Sequence, residues 1–459
     1  MLLNYNDFAD SNMEILDELY ELVIKNNQIN PEFYKMYDVK RGLRNSDGTG
    51  VLVGLTEIGD VQGYVVEDGV KKPIEGKLLY RGINVWDLIR GFQKEKRFGY
   101  EETCYLLLFG ELPNEKQLND FTQLLGENRK LPDGFTEDMI LTAPSRNIMN
   151  KLARSVLASY SYDSNPDDTS IKNVLRQSIE LIARFPTMVA YGYQAKARYY
   201  DSKSLFIHSP QPELSTAENL LYMIRSNCEY TSLEAELLDL SLVLHAEHGG
   251  GNNSAFTTHV VSSSGTDTYS AISAAVGCLK GPKHGGANIK VQEMMENIKV
   301  SVSDWKDEEE VKNYLRKILN KEVFDRSGLI YGMGHAVYTI SDPRAVLLKE
   351  KAAILAEAKG MQDEFELYEM VENLASEVFR EEKKGNNKEV IANVDFYSGF
   401  VYNALNIPQE LYTPIFAVAR IAGWCAHRIE ELVSGGKIIR PAYKNVLHPR
   451  AYVPLSERK

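Results

Sequence analysis

Four of the eight histidines in this 459-residue chain sit beside glycine clusters. His245 and His248 lie in HAEHGGGNNSAF, His284 in GPKHGGAN, and His335 in GMGHAVYTISDPRA, nine residues ahead of Arg344. Glycine lets backbone approach a ligand closely, and a helix start offers unpaired N–H groups that favour anions. An imidazole can donate to a carbonyl oxygen without adding fixed charge. Arginine forks suit carboxylates, each ion-assisted hydrogen bond contributing roughly 1.5–3 kcal/mol. Asp395 lies in the apolar run IANVDF, where its pKa should rise and it could take a weakly acidic proton. This inventory fits carbon–carbon bond formation through an enol better than hydrolysis.

Plainer readings compete at each position. His245 and His248 are three apart, as half of a metal site would be, but no motif supplies a third ligand. The Gly249–Gly251 run has no preceding strand and no following GKS or GKT, so a helix C-cap explains it as well as a phosphate loop does.

The elements that must carry these residues read mostly at helical period. Ser11 with Glu14 makes a capping box ahead of Leu16, Leu19, Leu22 and Val23, and Thr231 with Glu234 makes another ahead of Leu237, Leu240 and Leu244, in a helix expected to stop at Gly249. Asp342 before Pro343 is an N-cap with proline at the first helical position. Residues 410–433 form a helix whose Ala417, Ala419, Ala422, Gly423 and Ala426 let a neighbour approach. Only residues 50–80 read as strands, in a small set of hairpins. No alternation of strand and helix calls for a parallel sheet, so the fold class is all-α. The charged stretch 380–390 is either a domain crossing or a solvated helix end.

Composition narrows the classes further. Hydrophobic residues are 44% and charged residues 25%, as in an ordinary globular protein. With 52 Lys plus Arg against 64 Asp plus Glu, the net charge of −12 gives no basic footprint for nucleic acid. The acidic N-terminus does not resemble a signal peptide, no apolar run is long enough to span a membrane, and the four cysteines form no CxxC pair. A cytoplasmic protein without disulfides is expected.

The motifs carry a resemblance. HAEHGGGNNSA, GPKHGGAN, GMGHAVYTISDPRA, NVDFYSG and AVARIAGWCAHRIEE follow LLYRGINVWDLI and EETCYLLLFGELPN in an order similar to the citrate synthase family, from KRGLR at residue 40 to IIRPAY at residue 443. The resemblance implies a two-domain helical fold, with residues 1–286 and 391–459 as the large domain and 287–390 as the small one, around an active-site cleft. It implies condensation of acetyl-CoA with oxaloacetate and water to citrate and CoA, or of propionyl-CoA in the 2-methylcitrate synthase variant. His284 matches the donor to the thioester oxygen, Asp395 the base, and His335 the donor to the oxaloacetate ketone. His248, Arg344 and Arg420 match the carboxylate holders, Asn252 and Phe416 further pocket positions, and Arg440 an arginine reaching in from the partner subunit of a homodimer. A helix dipole would keep His284 neutral. No metal and no cofactor is implied, since acetyl-CoA is a substrate. Thr339 departs from the pattern: some relatives have a basic residue there that meets a CoA phosphate.

Overall fold

The computed structural model describes residues 10–46, 48–67, 70–382 and 390–458. Among them are seventeen α-helices and one three-stranded sheet, the all-α class that the periodicity predicts. The chain divides into two compact units, Met1–Leu55 and Thr56–Lys459. In the first, a helix spans Asp10–Asn26 and a second Pro31–Met36. The first begins one residue before Ser11, so the expected capping box falls inside it, and its Leu16, Leu19, Leu22 and Val23 are exposed.

The second unit is built around the Tyr412–Val433 helix, which is buried at every position from Tyr412 to Arg428. A helix apolar all round must be packed all round. The helices Tyr100–Phe109, Ile171–Tyr200, Ser232–His245, Asn253–Ser262 and Thr268–Lys280 all pack against it. The expected small residues explain how. A Cβ on Gly423 would lie 2.5 Å from the carbonyl oxygen of Ala246, so only glycine admits the chain at 246–247 against this helix. Tyr100 Oη donates to the carbonyls of Val418 (2.6 Å) and Ala419 (3.1 Å), tying two helices with one buried hydroxyl.

Helix ends place the chemistry-bearing residues. Thr231 and Glu234 form the expected reciprocal box, and Glu234 also holds Arg225 and Lys359. The helix they open ends at His245, four residues earlier than predicted. Asn252 caps the Asn253–Ser262 helix, Asp342 caps Pro343–Lys359, and Asn393 caps Val394–Ala404, so Arg344 and Asp395 both sit in first turns.

Residues 50–80 hold one hairpin rather than several. β1 (Gly59–Glu67) pairs antiparallel with β2 (Val70–Tyr80), and β3 (Ile83–Asn84) adds two residues beside the end of β2. Tyr80 Oη anchors the hairpin, donating to Val243 O at 2.9 Å. Of the charged stretch 380–390, the Gln362–Glu382 helix takes the start, and 383–389 lie outside the described residues. No helix among the described residues is long and apolar enough to cross a membrane.

Candidate active site

A short antiparallel bridge brings the two loops of the site together. Met333 pairs with Ala392, Gly334 N donates to Ile391 O (2.6 Å), and Asn393 N donates to Gly332 O (2.8 Å). Gly332 and Gly334 have φ of 78° and 96°, the left-handed region that a side chain at either position would strain. Asp342 closes the junction: its Oδ2 accepts from Val394 N (3.2 Å) while its carboxylate pairs with Arg344 at 2.7 Å. His335, Arg344 and Asp395 are thereby fixed on one scaffold. The His335 imidazole is stacked on Tyr338 (4.4 Å between centroids, 27°) and stands 5.4 Å from the ring of His248.

His335 Nδ1 accepts from the backbone N–H groups of Val337 and Tyr338, both at 3.0 Å. In the neutral ring those two bonds put the proton on Nε2; Arg344 Nη2, 3.5 Å away, is itself a donor, so the two make no hydrogen bond to each other in this tautomer and both are turned toward a ligand acceptor. Nε2 can donate to a ligand carbonyl.

Arg420 is a buried charge with little to satisfy it among the described residues. It is 1% exposed, its Nε donates to His245 O at 2.7 Å, and neither Nη1 nor Nη2 has a hydrogen-bond partner among the described residues. Burial pulls its pKa down to about 10, opposed by the negative charge of Glu247. An unpaired buried guanidinium costs several kcal/mol of desolvation unless a carboxylate arrives to pair with it. Phe416 lies against it, ring to guanidinium 4.8 Å, and meets His245 edge-on at 4.6 Å. His248 Nε2 and Tyr338 Oη are buried polar atoms with no partner either.

Electrostatics keep the imidazoles neutral. Burial first, then Arg344, His335 and Arg420, hold His248 well below the usual histidine range. Burial, with a smaller contribution from Arg420, pulls His284 down to about 4. The expected dipole explanation for His284 is replaced: the helix begins at Ala287, three residues further on, and desolvation is the dominant cause. Asp395 goes the other way. Burial and neighbouring Asp342 push it up to about 6, against the pull of Arg344 and Arg420.

Ser254 is a hub that sequence reasoning missed. Its Oγ accepts from Trp424 Nε1 (3.0 Å) and lies 2.9 Å from Asn252 Oδ1 and 3.0 Å from His284 Nε2. The hydroxyl has one proton for two acceptors. Turned toward His284, it places the ring's own proton on Nδ1. A serine two residues after an N-cap asparagine gives no signal of this. Tyr338 and Asp342 were equally silent, the first as a loop tyrosine and the second as a cap.

Arg440 stands apart from these groups, exposed on the tail that follows the Tyr412–Val433 helix. His245 Nδ1 is bonded to Ser241 O at 2.7 Å. The three potential metal ligands that do converge among the described residues are His259, His427 and Glu430. There the imidazoles already share a hydrogen bond of 3.1 Å, and His427, pushed up to about 9 against its burial by Glu247, donates on to that carboxylate at 3.0 Å.

The helical frame thus brings three imidazoles, two buried guanidinium groups and one carboxylate of raised pKa into one site. Residues 45–442 match the family model described as citrate synthase, C-terminal domain, and the chain belongs to the citrate synthase family. It is 36% identical over 408 residues to a citrate synthase of Haloferax volcanii, covering 88% of this chain and 94% of that one. It is 30% identical over 384 residues to a 2-methylcitrate synthase of Shewanella oneidensis, covering 83% and 92%. Among solved structures, the citrate synthase of Thermoplasma acidophilum in ternary complex with carboxymethyl coenzyme A and oxaloacetate aligns with TM-score 0.72 at 26% identity, covering 92% of this chain and 99% of that one.

The Ser254 hub yields a prediction. Ser254→Ala should lower kcat on the order of 10–100-fold by freeing the His284 ring. It should also lower stability by about 1–3 kcal/mol, because the buried Trp424 N–H loses its acceptor. Steady-state turnover and thermal melting measure the two, and an unchanged kcat would remove Ser254 from the support of His284.

Proposed function

We propose that this chain condenses acetyl-CoA with oxaloacetate and water to give citrate and CoA. The observation that carries the reading is that Arg420, with two unpartnered nitrogens, shares one site with a half-buried Asp395 whose pKa desolvation raises to about 6. Arg420, Arg344 and His248 hold the two carboxylates of oxaloacetate. His335 Nε2–H donates to its ketone oxygen, leaving the ketone carbon electron-poor. Asp395 takes a proton from the methyl group of acetyl-CoA while His284 donates to the thioester oxygen, so negative charge never accumulates unshielded on the enol. The enol carbon attacks the ketone carbon, the ketone oxygen collects a proton, and water then hydrolyses the thioester to release CoA. Asn252 and Phe416 shape the pocket, the first through Ser254 and the second against Arg420.

Residues 287–390 act as the small domain, closing over bound oxaloacetate to exclude water before acetyl-CoA reacts. Arg440 reaches the site of the partner subunit in a homodimer. No cofactor or metal takes part. The 30% identity to a 2-methylcitrate synthase keeps propionyl-CoA as the second acyl donor to test, since one methylene is worth only about 1–3 kcal/mol of discrimination.

Two outcomes are expected. With acetyl-CoA saturating, activity should fall as pH drops through about 6, where Asp395 gains its proton and can no longer accept one. Asp395→Asn should fold and lose roughly 10²–10⁴-fold in kcat with acetyl-CoA and propionyl-CoA alike. Ordinary turnover by that variant, shown by mass spectrometry to be free of deamidation, would take the base role from Asp395.

The shared site is tested by mixing an Asp395→Ala chain with an Arg440→Ala chain, each inactive alone, and refolding them together. One site of each heterodimer then combines an intact Asp395 with an intact Arg440 from its partner, so about a quarter of wild-type activity should return with random pairing. An inactive mixture containing proven heterodimers would place Arg440 outside the partner's site.

A further inference from the structure

The β1–β2 hairpin has no part in the chemistry described so far, yet its irregular section lies directly against the His335 loop. Pairing runs from Gly59 opposite Tyr80 to Gln62 opposite Lys77, then resumes with Tyr64 opposite Pro73. Gly63 alone therefore faces Ile74, Glu75 and Gly76, a bulge that bends the ribbon. The bulge has no room for side chains at its two glycines. A Cβ on Gly63 would collide with Val337 O and lie 2.9 Å from Tyr338 Cα, and one on Gly76 would lie 2.7 Å from Tyr338 Cδ1 and 2.9 Å from Pro343 Cδ. Hydrogen bonds tie the two together: Thr339 Oγ1 donates to Gly63 O (3.2 Å), Gly76 N donates to Ser341 Oγ (3.3 Å), and Ser341 Oγ donates to Glu75.

One peptide unit links this contact to the chemistry. The Val337 carbonyl rests on Gly63, and the N–H of the same peptide unit, that of Tyr338, is one of the two donors to His335 Nδ1. The Val337 N–H is the other. Both donors must hold their places for the ring to keep its proton on Nε2 and present it to a ketone.

We propose that Gly63 and Thr339 are positioning residues for His335: the hairpin bulge fixes the Val337–Tyr338 peptide, and the peptide fixes the tautomer and aim of the imidazole. The proposal rests on the condensation reading above. It also gives Thr339 a task, since its hydroxyl reaches the hairpin backbone at a position where some relatives have a basic side chain. A long basic residue there would forfeit the bond to Gly63 O.

The test uses full-length Thr339→Val, Thr339→Ser and Gly63→Ala, with two readouts: steady-state kinetics, and the infrared carbonyl stretch of bound ¹³C-labelled oxaloacetate. The stretch reports how strongly the ketone is polarised, which a merely structural contact would not change. Because Arg420, Arg344 and His248 hold the carboxylates, KM for oxaloacetate should move little. Displacing a catalytic group by roughly 1 Å costs on the order of 10²-fold, so kcat should fall between about tenfold and a hundredfold in Thr339→Val and Gly63→Ala. The carbonyl stretch in those variants should return toward its value in water. Thr339→Ser, which keeps the hydroxyl, should restore both. If Gly63→Ala does not fold, the two Thr339 variants decide. Unchanged kcat and an unchanged stretch in folded Thr339→Val, with only the melting temperature lowered, would overturn the proposal. A wild-type protein that neither condenses acetyl-CoA nor polarises bound oxaloacetate would instead overturn the condensation reading.

Discussion

The guanidinium of Arg420 is held in a buried position with only one of its nitrogens bonded, and the site is organised around that fact. Its charge is felt by Asp395, His284, His245 and His248, where it opposes protonation in every case. Burial is the larger cause that keeps these imidazoles neutral and Arg420 adds to it, while Asp395, raised by burial to about 6, is held from going higher by Arg344 and Arg420. Stability would be better served by an apolar side chain at this position. Retaining the charge makes sense if a dianionic ligand completes it, which is the usual signature of a binding site that is strained in its empty state.

Around Arg420 the protein spends further buried charges to hold it. Glu247, fully buried, lies within its field and accepts from His427 and from the N–H of Gly249, which fixes the loop on which His248 rides. Gly423 makes this possible by leaving room for the backbone at 246–247, and His427 continues through His259 to Glu431. On the other side, Asp342 performs three tasks with two oxygens: it caps a helix, neutralises Arg344, and receives the N–H of Val394 beside Asp395. Removing any of these would leave a charge or an N–H buried without its partner, so the network is expected to behave as a unit rather than as additive contacts.

How much of this was legible in the sequence depends on the residue type. Histidines flanked by glycine stand out because the glycines are needed: Gly332 and Gly334 carry positive φ so that the loop can pair with 391–393. Asp342 and Thr231 were readable as caps because their offset to the helix is fixed by hydrogen-bond geometry. Ser254, Tyr338 and Glu247 were not, since a serine, a tyrosine and a glutamate carry no spacing rule that distinguishes a site residue from an ordinary one. Strand propensity located the β region but gave one hairpin as several, because Glu75–Gly76 looks like a turn and in fact lies in a bulge pressed against another loop. The protonation state of His284 was anticipated and its cause was not: burial acts over the whole ring, whereas a helix that begins three residues away contributes little.

Whether a dicarboxylate completes the unpaired charge of Arg420 can be read by calorimetry without any acyl-CoA present. Oxaloacetate and pyruvate share the α-keto acid group and differ by one carboxylate, so their affinities isolate the contribution of the second anion. Oxaloacetate should bind at one per chain and at least about tenfold more tightly than pyruvate, since one further charge-assisted pair is worth about 1.5–3 kcal/mol. Arg420→Met should remove most of that difference. Equal affinity of the wild-type protein for the two ligands would show that the site holds no second carboxylate.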